Sequence, residues 1–138
     1  MPPARVGELV ETGVCVVDDA LSAAEVLAAR QELERVHAAG GLSTIALQEQ
    51  SNVRNDLVGW LETSALAATP ALAPVVALLR GIPAEVQRHA GWRLAVPHRG
   101  QAALYDGTPG SPSLYHKHVD CSDPQSNPRR LTAILYLN

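Results

Sequence analysis

An apolar, β-forming run occupies residues 129–138, with Leu131, Ile134, Leu135, Tyr136 and Leu137 in quick succession. Branched and aromatic side chains at this density predict a strand. A strand cannot satisfy its backbone alone, so the run demands sheet neighbours. The preceding residues supply candidates. Residues 113–120 read as a strand, and the polar stretch 121–128 reads as a loop between the two. Residues 92–96 and 101–105 read as two further strands across a turn at 97–100. Residues 106–112 form a loop, with Gly107, Pro109 and Gly110 ahead of Pro112.

The first half of the sequence has a different grammar. Residues 13–18 form a short β-branched run ended by Asp18 and Asp19, which predicts a first strand. Ser22 and Glu25 have the spacing of a capping box, and Gly40 and Gly41 supply a stop. A helix is therefore expected from Ser22 to about Ala39, with Val26, Ala29, Leu33 and Val36 on one face that packs on a sheet. Residues 42–50 carry only a weak pattern, and 53–61 predict an extended segment. A second helix starts near Thr69, Pro70 or Pro74, because proline is comfortable only in a first turn, and ends at Arg80 and Gly81. Trp60 and Trp92 are expected in the core, and His37, His89 and His98 in turns or at the surface. Helices early and strands late predict an α+β fold in a single domain.

Composition sets limits. The hydrophobic fraction is 46%, but there is no Phe and aromatics make up only 4%. Alanine buries little area at roughly 25 cal/mol per Å2, so modest stability is expected. A net charge of -3 without any basic run argues against nucleic-acid binding. No apolar stretch approaches a membrane span, and the N-terminus does not read as a signal peptide. Cys15 and Cys121 are far apart and form no disulfide framework. The expectation is a chain of the cytoplasm or nucleus.

The chemistry gathers at His118 and Asp120. Residues i and i+2 of a strand share a face, so an imidazole and a carboxylate can meet one ion. A carboxylate and two histidines on one face make the triad of non-haem Fe(II) oxygenases. His116 shares that face, leaving an H-x-H-x-D set open as an alternative ligand group. Tyr115, three residues before His118, and the run from Arg129 to Asn138 give the pair its context.

That context, Y-x-x-H-x-D, a short polar loop, then R-x-L-T-x-I-x-Y-L-N, resembles the prolyl hydroxylase branch of the 2-oxoglutarate- and Fe(II)-dependent dioxygenases. Within it, the stretch is more similar to the oxygen-sensing (HIF-type) prolyl hydroxylases and their microbial and algal relatives than to the collagen enzymes. Arg54 and Asp56 with Trp60 and Glu62 resemble the R-x-D-x-x-x-W-x-E segment of that branch. The resemblance implies a partial double-stranded β-helix, or jelly-roll, with residues 1–90 as a support region and 91–138 as the first barrel strands. It implies His118 and Asp120 as two iron ligands. Tyr136 and Tyr105 match positions that contact 2-oxoglutarate. Arg129 matches a position near the peptide entrance, with Asp56 as its acidic partner. Fe(II), the co-substrate 2-oxoglutarate and ascorbate are the implied cofactors, and the implied partner is a proline-containing protein or peptide. The branch's second histidine and the arginine that pairs with 2-oxoglutarate have no match here. The expectation is therefore an incomplete barrel, open to self-association at its sheet edge, and a metal-binding fragment without turnover as the alternative to an enzyme.

Overall fold

The computed structural model describes residues 1–44, 53–110, 112–123, 125 and 127–138. Most of the weakly patterned stretch 42–50 lies outside them, as do single positions in the loops 106–112 and 121–128. Among the described residues the protein is a small α+β fold of four helices and one two-stranded antiparallel sheet.

Helix α1 (Pro3–Thr12) opens the chain. Pro3 suits a first turn, where no intrahelical donor is lost. Val6 and Leu9, three residues apart, are buried, and α1 lies on α4 (Ala73–Ala90). Gly13 ends the helix with φ 82, its N–H reaching the Leu9 carbonyl. This overturns the expected strand at 13–18. Gly13 is a helix stop, and Val14 and Val16 stand 63% and 62% exposed, without a ladder. β-branched residues favour a strand only where a neighbour supplies the hydrogen bonds. Asp19 then turns the chain at φ 53, a conformation that aspartate tolerates.

Helix α2 (Ala23–Ala38) forms where the capping box places it. The Ser22 hydroxyl accepts from the Glu25 N–H at 3.3 Å, and the Glu25 carboxylate accepts from the Ser22 N–H at 2.8 Å. Ala29 is fully buried, and Val26, Leu33 and Val36 lie on the same partly covered face. Gly40 and Gly41 close the helix onto the carbonyls of His37 and Val36.

Strand β1 (Leu57–Glu62) pairs with β2 (Arg99–Leu104), from Leu57 opposite Leu104 to Glu62 opposite Arg99. The last pair is bonded through side chains, Arg99 Nε to Glu62 Oε1 at 2.7 Å. Ser43 bridges Val58 on the other side of β1. Gly59 is required there: a Cβ would stand 2.6 Å from the Leu42 side chain and 2.7 Å from the Gly41 carbonyl. The strand expected at 101–105 thus exists, but its partner is β1. Residues 92–96 form no strand.

A short helix α3 (Thr63–Ala68) leads to α4, which packs against both α1 and α3. α4 runs through Gly81 and Pro83, well past its expected end. Proline inside a helix removes one hydrogen bond, yet Leu72, Val76, Leu79, Pro83, Val86 and Ala90 make one stripe at three- and four-residue spacing, and Leu72, Val76 and Val86 are buried. Covering that stripe outweighs the local penalty. Trp60 and Trp92 are 54% and 38% exposed, not core. The sheet is small, so its outer face is left uncovered at Trp60.

After β2 the expected strands are not realised. Residues 113–120 make one isolated bridge, Tyr115 with Arg54, and 129–138 pair with no strand among the described residues. Ile134 and Tyr136 are 68% and 75% exposed. No helix of the described residues is long and apolar enough to cross a membrane.

Candidate metal site

The segment carrying the chemistry is tied to the chain before β1. The His116 N–H donates to the Val53 carbonyl at 2.8 Å, and the Asn55 N–H to the Leu114 carbonyl at 3.0 Å. The Asn55 side chain accepts from the Leu114 N–H at 2.6 Å. These bonds bring Tyr115 alongside Arg54, 61 positions earlier in sequence, and fix where residues 116–120 start.

His118 and Asp120 then meet. His118 Nε2 lies 3.2 Å from Asp120 Oδ1, and His118 Nδ1 lies 2.8 Å from the His116 carbonyl. A carbonyl can only accept, so Nδ1 carries the proton. A neutral ring must then present the Nε2 lone pair to a carboxylate oxygen. Two acceptors at that distance repel unless a proton or a cation stands between them. Two donors in adjacent positions on one octahedral ion, each about 2.1 Å from it, are about 3.0 Å apart. The spacing is that of an imidazolium–carboxylate hydrogen bond when Nε2 carries a proton, and of two donors to one cation when it does not. In either case the His116 carbonyl supplies the kind of outer hydrogen bond that orients a ligating histidine.

Asp120 is also held by its neighbours. The Thr132 hydroxyl donates to Oδ2, and Arg129 Nη1 lies 3.1 Å from Oδ1. The Asn127 amide donates to the Asp120 carbonyl at 2.7 Å, while its oxygen accepts from the Arg129 N–H at 3.0 Å. The Thr132 hydrogen bond, then the charge of Arg129 and the contact with His118, outweigh partial burial and hold the Asp120 carboxyl below its ordinary range. Asp120 is thus an anion at neutral pH, as a metal ligand must be.

A second cluster lies beside the first. Asp56 is 1% exposed and takes a two-pronged contact from Arg54, Nε to Oδ1 at 2.7 Å and Nη2 to Oδ2 at 2.5 Å. Burial pushes the Asp56 carboxyl up, but the hydrogen bonds and charge of Arg54 pull it further down. Tyr105, just past β2, is drawn into the same field: burial and the Asp56 charge push its hydroxyl up. The Arg54 guanidinium sits 4.1 Å from the Tyr115 ring centroid, and that ring stacks on His118 at 3.8 Å and 20°.

Five of the six residues singled out in the sequence therefore belong to one connected network: His118, Asp120, Arg129, Asp56 and Tyr105. Tyr136 does not join it and stands 75% exposed. The expected Arg129–Asp56 pair is not formed, because Arg54 occupies both Asp56 oxygens and Arg129 turns to Asp120. His116 is exposed and contributes its carbonyl. Among the described residues no three His, Cys, Asp or Glu side chains converge on one point. Thr132 and Asn127 were not singled out, although the R-x-L-T run and the polar loop contain them.

No protein-family model matches the chain, and no curated protein or solved structure is detectably similar to it.

Proposed function

We propose that the chain is a 2-oxoglutarate- and Fe(II)-dependent dioxygenase unit acting on a peptidyl proline, built on the first part of a jelly-roll. The observation that carries this reading is the His118–Asp120 pair, 3.2 Å apart with the imidazole tautomer set by the His116 carbonyl. It occurs within a Y-x-x-H-x-D sequence that resembles the prolyl hydroxylases. In this reading His118 Nε2 and Asp120 hold the iron. Bound iron supplies the oxidising chemistry by which one oxygen atom of O2 enters the proline ring and the other enters succinate as 2-oxoglutarate loses CO2.

The remaining roles follow from position. Thr132 keeps the Asp120 carboxylate oriented, and Arg129 adds positive charge beside it. Tyr105 and the exposed Tyr136 are assigned to 2-oxoglutarate, and Arg129 and Asp56 to the peptide side, on the resemblance. Ascorbate serves to keep iron reduced.

One observation favours a second reading, a metal-binding unit without turnover: only two ligating side chains converge among the described residues. Incubation of the chain with Fe(II), ascorbate, 2-oxoglutarate and prolyl peptides separates the two. The dioxygenase reading expects succinate that disappears in His118→Ala. Iron binding without succinate at any peptide would leave the metal-binding unit.

A further inference from the structure

Iron ligands need their donor atoms aimed as well as present, and His118 is half on the surface. Its Nδ1 hydrogen bond to the His116 carbonyl decides which nitrogen faces Asp120. A single hydrogen bond leaves the ring free to turn about its axis, and the ring's face meets the other cluster through Tyr115. Asp56, fully buried, grips the Arg54 guanidinium at two points and so fixes its orientation. The guanidinium lies over the Tyr115 ring at 4.1 Å, and His118 stacks on the same ring at 3.8 Å. Two groups this close to one ring centroid occupy its opposite faces. The bridge between Arg54 and Tyr115, with the His116 N–H on the Val53 carbonyl, ties the backbones of the column together.

We infer that Asp56, Arg54 and Tyr115 form a positioning column for His118, transmitting a buried anchor through a cation–ring and a ring–ring contact so that Nε2 faces Asp120. This assigns Arg54 and Tyr115 a role beside the metal without contact to it, and gives Asp56 a task distinct from peptide binding. The inference rests on the reading of His118 as a metal ligand. Guanidinium–aromatic contacts are strongest when the cation is withdrawn from water, and the Arg54 side chain is only 9% exposed.

The test uses the full chain, Co(II) as the probe, and NMR of the His118 ring protons. Tyr115→Leu removes the aromatic face at a partly exposed position, whereas Tyr115→Phe keeps it. The column predicts that Tyr115→Leu weakens Co(II) binding about fivefold, or about 1 kcal/mol, and moves the His118 ring protons downfield as aromatic shielding is lost. Tyr115→Phe should retain wild-type values for both. Wild-type Co(II) affinity in Tyr115→Leu, with affinity lost in His118→Ala, would overturn the column and leave the metal site standing. If His118→Ala binds Co(II) as wild type does, the metal reading fails. The ring protons then decide the column alone: unmoved in Tyr115→Leu, they overturn it.

Discussion

Residues up to Leu104 and residues beyond it are held together by different kinds of bond. In the first region, helices and the β1–β2 ladder satisfy the backbone, and every buried described residue lies between Val6 and Val86. In the second, no described residue is buried, and a few scattered backbone bonds, such as the His116 N–H to the Val53 carbonyl, are joined by polar side chains reaching nearby groups. The Asp106 carboxylate accepts from Thr108, Asn127 joins Asp120 to Arg129, and Thr132 reaches Asp120. The candidate site sits in the second region but is anchored on the first, through Arg54 and Asp56. A sturdy frame thus presents a polar, accessible segment, which is how binding groups are commonly displayed.

The largest expected effect tests the joint between the regions. Asp56→Asn leaves a largely buried guanidinium without its counter-charge, which costs about 3–5 kcal/mol in such pairs, measured by urea unfolding. The pH dependence follows in sign. Asp56 is held below its ordinary value of 3.8 in the fold, so its contribution is present above that value and is lost as pH falls through the lower native one. The acid limb of the stability curve should flatten in the variant.

Two truncations sharpen the contrast. Val86→Ala, at a fully buried position, should cost about 2 kcal/mol through lost burial and a residual cavity. Ile134→Ala removes a larger side chain from a position 68% exposed and should stay within about 0.5 kcal/mol. Equal costs in thermal or urea unfolding would show that residues 129–138 are packed as well as the helices.

Local signals in the sequence were the most legible. The capping box at Ser22 and the glycine stop at Gly40 act within a few residues, so α2 forms as read. The end of α4 was not legible from Gly81 and Pro83, because burial of a stripe across six positions outweighs one missing hydrogen bond. The strands at 13–18, 113–120 and 129–138 were misread for a shared reason. Strand propensity describes a fit to a neighbour, and no ladder partner is present for them among the described residues. At the site, His118 and Asp120 meet, but not through the shared strand face that their spacing implied: the backbone there is no strand, and the His118 ring reaches Asp120 while held on the His116 carbonyl. Arg54 as the partner of Asp56 was not legible, since burial is what selects the residue two positions away over Arg129.

The central claim is that His118 and Asp120 hold one divalent cation, with His116 contributing only its carbonyl. Anaerobic Fe(II) titration of the wild-type chain against His118→Ala, Asp120→Ala and His116→Ala tests it directly. The account predicts one site, weakened roughly tenfold or more by either ligand substitution, since even outer-shell changes cost that much, and unchanged in His116→Ala. Fe(II) binding that is equal in wild type and His118→Ala would contradict it.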